Sequence, residues 1–170
     1  MKIAYTMEPS RGGTDLLLAA VATELAASGF SVCGTVQINS DREDCTGCDM
    51  DVRVLPHGPT IRISQSLGKE SKGCRLDPSA LELAVGHTKE NLATGADVLI
   101  INKFGKHEAQ GRGFREVIAE ALSQDIPVIV GLNHLNEQAF KDFTSEVAVS
   151  LPPNIESAMS WVKAAQSFGG

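Results

Sequence analysis

The chain has 170 residues, 42% of them apolar, and carries 21 acidic against 15 basic side chains for a formal net charge of −6. Such a length and apolar fraction suit one domain with a sizeable core, while the acidic balance argues against general attraction to nucleic acid or to an anionic membrane. No apolar run approaches the roughly 20 residues of a membrane span, and MKIAYTMEPS lacks a leader-like apolar stretch, so a cytoplasmic location is expected.

In chain order, the first element is the apolar strand KIAYTM at 2–7, which runs through a Gly-containing turn into a helix of Leu16, Leu17, Leu18, Val21 and Leu25 extending to about Gly29. SVCGTVQI at 31–38 is a second strand and completes a βαβ unit. The polar stretch NSDREDCTGCD at 39–49 is expected to be a loop. DVRVLP and TIRISQ then alternate apolar and polar residues around HGP, the turn chemistry of a β-hairpin with one wetted face. This hairpin, about 50–66, is read as an insertion at one sheet edge, followed by an exposed loop, SLGKESKG. Asp77 is placed to cap a helix with Pro78 in its first turn. DVLIIN at 97–102 is an uninterrupted apolar run, as expected of a central parallel strand covered on both faces. A helix over 114–123, the strand PVIVGL, a short helix over 136–143, the strand EVAVSL and a last helix ending before Phe168 follow. The alternation predicts a doubly wound, mostly parallel α/β sheet in a single domain over 1–170.

The turn after the first strand, TMEPSRGGTD, invites the GxxxxGK[ST] template of a phosphate-binding loop, or P-loop. Met7 falls where the first Gly belongs and Gly13 where the Lys belongs; only Gly12 and Thr14 are in place. A helix N-terminus nevertheless offers unpaired N–H groups and partial positive charge, so it can bind an anion without a side-chain cation. Gly12 and Gly13 permit close approach, Ser10 and Thr14 bring hydroxyls, and Arg11 brings a charge. The same residues also suit an empty structural turn between a strand and a helix.

The second informative stretch is INKFGKHEAQGRGFREVI at 101–118. P-loop hydrolases carry acidic residues at this strand end, one to position Mg²⁺ and one to prepare water. Here the two positions are Asn102 and Lys103, neither a general base at neutral pH, so the site is expected to have changed sign in favour of an oxyanion. Lys103, Lys106, Arg112 and Arg115 form a basic cluster or, on the plainer reading, solvated loop charges. His107 and Glu108 are the nearby acid/base candidates, and a lone His in such a glycine-rich loop is expected to be exposed. Both stretches are expected at the carboxyl ends of neighbouring parallel strands, facing one another. Cys45 and Cys48 make a CxxC in the polar loop, but two ligands do not close a tetrahedral site. Cys74, His57 or Cys33 would have to complete it, and Cys33 lies in a strand, where it reads as a small buried residue. Inert thiols and no metal are the default expectation.

PSRGGTD, CDMDVRVLP, RISQSLG, GCRLDPSALE and NKFGKHEAQGRGFRE together resemble the bacterial domain of unknown function 2478, over nearly the whole chain. Its members are often encoded beside molybdenum-transport and molybdoenzyme genes. More distantly the layout is similar to the small P-loop nucleoside-triphosphatases of the thermophile type, with a hairpin after the second strand and an Asp-Glu-Ile-Gly strand end followed by a Phe-Arg-Glu helix. Gly105 and Phe114-Arg115-Glu116 fit that pattern, whereas Gly13, Asn102 and Lys103 depart from it. The resemblance implies a P-loop NTPase-like fold with a degenerate loop and little or no nucleotide hydrolysis, hence no catalytic residues. With the altered loop it points to an oxyanion, molybdate or tungstate, held by Ser10, Arg11, Gly12, Gly13, Thr14, Asn102, Lys103, Lys106, Arg112 and Arg115. Nucleotide binding is the alternative, and a scaffold-only interaction subunit, partnered by a second copy or a molybdenum-pathway protein, is the third reading.

Overall fold

The computed structural model describes residues 1–41, 48–65 and 75–167. Its elements are β1 (Ile3–Thr6), α1 (Gly13–Ala27), β2 (Val32–Asp41), β3 (Cys48–Leu55), β4 (Thr60–Arg62), β5 (Ser64–Gln65), β6 (Arg75–Leu76) and α2 (Pro78–Ala93). They continue with β7 (Val98–Ile101), α3 (Lys106–Ala109), α4 (Arg115–Ser123), β8 (Val128–Gly131), a 3₁₀ turn (His134–Asn136), α5 (Glu137–Phe143), β9 (Val149–Leu151) and α6 (Ile155–Ser167). A seven-stranded sheet runs β4-β3-β2-β7-β8-β1-β9. Every pairing from β2 to β9 is parallel, and β3 and β4 add an antiparallel edge. The expected mostly parallel α/β sheet with an edge hairpin is what forms.

The apolar runs explain the order of layers. VLII of β7 and VIVG of β8 are buried at every residue, because helices cover both faces of the sheet. On one face Leu18, Val21 and Leu25 of α1 pack with Ala158 and Val162 of α6. On the other, α2, α4 and α5 close over a core in which Phe140 meets Tyr5 and Phe104 edge-on, at 5.5 and 5.2 Å between ring centroids. Asp77 caps α2 as expected, accepting from the N–H groups of Ser79 and Ala80 at 3.0 and 3.2 Å.

Four features depart from the sequence reading. The strands β1 and β7 are not neighbours: β8 is inserted between them and pairs in parallel with both. Part of the stretch expected as a loop at 39–49 is strand, since the antiparallel ladder continues through Asn39↔Met50, Ser40↔Asp49 and Asp41↔Cys48. Backbone pairing does not require apolar side chains on a solvated extension. The run TIRISQ breaks at Ile63, whose N–H donates to the Met50 carbonyl at 2.9 Å, after which β5 leaves the main sheet to pair with β6. Within the hairpin, Arg62 bonds Asp51 through Nε at 2.6 Å, and this pairing holds the guanidinium pKa above its ordinary value.

The fourth departure is the segment 105–114, expected as a glycine-rich loop. It contains α3 and is stapled in place by two carboxylates. Glu108 is 2% exposed and accepts from the N–H groups of Gly105 at 2.9 Å and Phe114 at 3.3 Å. His107, expected to be exposed, is buried, with Nε2 2.8 Å from Glu82 Oε1. The same Glu82 oxygen accepts from Gly113 N–H at 3.0 Å. Burial pushes the Glu108 carboxyl above its ordinary pKa, opposed by those two N–H donors. His107 and Glu108 therefore act here as structural staples.

Two outcomes follow from these constraints. Gly34 sits mid-β2 at φ 120°, and a β-carbon there would run into the Ile100 carbonyl of β7. Gly34→Ala is expected to lower stability by about 3 kcal/mol or more in urea denaturation, because neither the backbone conformation nor the partner strand can yield cheaply; a loss within about 0.5 kcal/mol, as at an ordinary surface site, would refute this. Glu108→Gln turns an N–H donor toward one of two backbone donors and is expected to cost about 1–3 kcal/mol. Because the folded carboxyl pKa is raised, the native state binds a proton more readily than the unfolded chain. Wild-type stability therefore contains a component that weakens as pH rises from the ordinary carboxyl pKa through the raised one. Subtracting the Glu108→Gln profile, measured from about pH 4 to about pH 8, should isolate that slope; a difference profile flat in pH would contradict it.

Candidate functional site

β1 ends at Thr6, and the chain turns through 7–12 before α1 starts at Gly13. Hydrogen bonds inside the turn fix its shape. Glu8 N–H donates to Thr14 Oγ1 at 2.9 Å, Gly13 N–H to the Ser10 carbonyl at 3.1 Å, and Leu16 N–H to the Gly12 carbonyl at 3.2 Å. The Glu8 carboxylate folds back over the turn. Its Oε2 accepts from Ser10 N–H at 2.9 Å and from the Ser10 hydroxyl. Room for it exists because residue 13 has no side chain: a β-carbon on Gly13 would fall on the Glu8 carboxylate. The position of the missing lysine is thus the position that lets an internal anion settle at the helix N-terminus, where N–H groups and the helix dipole favour negative charge.

Across from the loop, Phe104 is wholly buried and its N–H donates to the Gly131 carbonyl at 2.9 Å, which leaves Lys103 outward at the end of β7. Asn102 is 4% exposed and fully engaged. Its Nδ2 donates to Asp15 Oδ1 at 2.8 Å and Gln37 Oε1 at 3.3 Å, and its Oδ1 accepts from Gln37 N–H at 3.1 Å. The second Asp15 oxygen accepts from Asn39 Nδ2 at 2.6 Å. The strand-end amide therefore holds a carboxylate that stands on the helix. This corrects the expected change of sign: the site keeps two carboxylates, Glu8 and Asp15, which a template search for acids at 102 and 103 passes over. Both were visible in TMEPSRGGTD as acids flanking the glycine turn.

The two walls enclose one cavity of about 490 Å³, with Gly131 and Leu132 of the β8 end between them. Ser10, Arg11, Gly12, Thr14, Asn102 and Lys103 line it, so the loop and the β7 end do face each other, although across an intervening strand. Gly13 shapes the loop from behind. Lys106 lies instead on an adjoining cavity of about 320 Å³. Arg112 and Arg115 line neither. The Arg115 guanidinium lies 4.7 Å over the Phe143 ring and donates to the Glu108 carbonyl at 3.4 Å. The stapling of 105–114 spreads the basic cluster, leaving Lys103 and Arg11 as the cations on the first cavity. Neither has an acidic partner among the described residues.

Among the cysteines, Cys33 is buried in β2, and desolvation pushes its thiol pKa up to about 11, so it is an unreactive packing group. Cys45 and Cys74 lie outside the described residues, and Cys48 is described only as backbone in β3. Among the described residues no three His, Cys, Asp or Glu side chains gather as a metal site would require.

Known proteins resemble this architecture throughout. The structure of a human cancer-related nucleoside triphosphatase superimposes with a TM-score of 0.66 at 16% identity, covering 98% of this chain and 98% of that one. THEP1 from the hyperthermophile Aquifex aeolicus does so with a TM-score of 0.65 at 18% identity, over 99% of this chain and 98% of that one. At such identities the likeness shows the fold, which is P-loop NTPase-like. In sequence, the molybdenum import ATP-binding protein ModC 2 of Bradyrhizobium diazoefficiens is 32% identical over 152 residues. That match takes in 88% of this chain but 17% of the relative's length. The family model described as protein of unknown function (DUF2478) matches residues 3–161, and the chain belongs to that family.

Proposed function

We propose that the protein binds a tetrahedral oxyanion, molybdate or tungstate before phosphate or sulfate, between the Ser10–Thr14 loop and Lys103. The observation that carries this reading is the Glu8 carboxylate bound by Ser10 at the start of α1: the loop is already occupied by an anion of its own. An oxyanion entering the cavity replaces Glu8 at those donors, with Lys103 and Arg11 balancing its charge from the other walls. The relationship to a protein named for molybdenum import supports molybdenum over phosphorus, within the limit that the match spans 17% of that protein. Selection between molybdate and sulfate, which share charge and shape, rests on cavity size. Release from a membrane transporter would bring such a ligand into the cytoplasm; no described helix is long and apolar enough to cross a membrane.

Likeness in fold to two nucleoside triphosphatases favours a second reading, in which the same loop receives the phosphates of a nucleotide. Hydrolysis is disfavoured in either case. No lysine stands at 13, no carboxylate at 102 or 103, and Glu8 and Asp15 are each held by donors of the protein itself. Phosphoryl transfer depends mainly on electrostatic terms that those missing groups supply. ATP and GTP turnover in the presence of Mg²⁺ is accordingly expected to stay well below about 1 s⁻¹, the lower end for ordinary kinases; a rate at or above that, abolished by Thr14→Ala, would reverse the assignment.

Binding itself is read by calorimetric titration of dialysed protein with molybdate, tungstate, phosphate, sulfate and ATP. Lys103→Ala is expected to weaken molybdate about tenfold and Glu8→Ala to strengthen it about tenfold, each equivalent to about 1.4 kcal/mol. The opposite signs separate a cation that attracts the ligand from an anion that competes with it. If none of these anions binds at millimolar concentration, or neither substitution moves the affinity, the scaffold-only reading replaces this one.

A further inference from the structure

Within α1, Gly13–Ala27, only Thr14, Asp15, Thr23 and Glu24 are polar. Thr14 and Asp15 line the first cavity, while Leu18, Val21 and Leu25 face the core. The side that remains carries Leu16, Ala20, Thr23 and Ala27, which fall in one stripe at helical spacing. Leu16 on that stripe is 75% exposed. A helix that is apolar nearly all round is normally covered nearly all round, yet no part of this chain covers that stripe among the described residues.

The sheet beside the stripe is bare as well. On the α2 face, Val52, Val54 and Ile63 belong to the core and Ile61 packs against it, so the apolar side of the hairpin is already used. On the α1 face, Ile38 of β2 is 43% exposed and Arg53 of β3 is exposed. A groove of about 370 Å³ lies between the two elements, walled by Ala19, Ala20, Thr23 and Glu24 of α1 and by Val36, Ile38 and Arg53 of the strands. Past Thr23 and Arg53 it continues into a hollow of about 410 Å³ that reaches Pro56. Charge singles out the occupant. Arg62, a neighbouring cation of the hairpin, is taken up by Asp49 and Asp51. Glu24 and Arg53, on facing walls of the groove, have no ion-pair partner among the described residues.

We propose that α1 and the adjoining face of β2 and β3 form a twofold interface between two copies of this chain. A patch that holds a ridge beside a groove, and one unpaired charge of each sign, is complementary to itself under a twofold axis. The α1 ridge of each copy enters the groove of the other, and Glu24 of each meets Arg53 of the other. Alanines along the ridge permit helix axes to approach within about 8–10 Å. The patch is about 22 Å long and, at one helix plus two strands, about 20 Å wide. Two such patches bury on the order of 1,000 Å² in all, the size of a weak, reversible dimer and not of an obligate one. The proposal is independent of which ligand the first cavity takes.

Sedimentation velocity of the full chain from about 5 μM to about 500 μM, a range suited to weak association, is expected to show monomer passing into dimer. Glu24→Arg and Arg53→Glu each set like charges opposite one another and should weaken association at least about tenfold. The two substitutions together re-form the pair with its charges exchanged and should restore association to within about threefold. Both residues are exposed, so the melting temperature of the dilute monomer should not change. Methyl NMR over the same concentrations should shift the signals of Leu16 and Ile38 and leave Leu135, on the 3₁₀ turn, in place. A chain that stays monomeric throughout overturns the proposal and gives the groove to water or to a different protein. A dimer indifferent to both single reversals, or one that the double exchange fails to restore, overturns it too, because the contact then does not join these residues.

Discussion

A single amide-to-carboxylate hydrogen bond, Asn102 Nδ2 to Asp15 Oδ1 at 2.8 Å, ties the end of β7 to the first turn of α1. One element is a strand and the other a helix, so no backbone ladder fixes their separation. Asn102 is buried and bonded also to Gln37, and Asp15 is gripped from its other side by Asn39, so the tie joins β2, β7 and α1 in one network. Such a network is rigid because each polar group in it has a partner whose loss would leave a desolvated group behind. The first cavity is the space this tie holds open between the loop and Lys103.

The charges around that space are arranged by the same economy. A helix N-terminus of 15 residues' length attracts an anion whether or not a ligand is present. With lysine absent from position 13, nothing projects into the loop from the helix, and the Glu8 carboxylate takes the room. The acid is drawn from the loop's own sequence, two residues before the serine it binds. Arg11 and Lys103 stay free of acidic partners among the described residues, while the Ser10 N–H and hydroxyl are taken up by Glu8.

How much of this was legible in the sequence depended on whether the governing interaction was local. VLII and VIVG announce central parallel strands because burial on both faces leaves no polar position, and Asp77-Pro78 announces a helix start because capping is decided within a turn. The order of strands is not local, and nothing in KIAYTM or DVLIIN shows that PVIVGL lies between them. The staple at 105–114 escaped for a related reason. Three glycines and several charges look like a mobile loop until Glu108 is seen to accept two backbone N–H groups and His107 to meet Glu82 from α2. The site was half legible: Ser10, Arg11, Gly12, Thr14, Asn102 and Lys103 do share one cavity, while Lys106, Arg112 and Arg115 are carried away from it by that staple. Glu8 and Asp15 were missed because the template asks which acids are absent from their usual places, and not which acids have arrived elsewhere.

Each departure from the P-loop pattern is matched to an acid of its own. A carboxylate at 102 would face Asp15 at hydrogen-bond distance, where two like charges cannot both remain ionised without cost and one would be driven to hold a proton. A side chain at 13 would expel Glu8 from the position in which Ser10 now holds it. Asn102 is thus the residue that Asp15 requires, and Gly13 is the residue that Glu8 requires. Loss of catalytic groups from a hydrolase, taken alone, would leave the remaining loop with unpaired donors and an unsupported strand end. Here the Ser10 N–H has Glu8 and the Asn102 amide has Asp15, so the loop and the strand end are each satisfied within the chain.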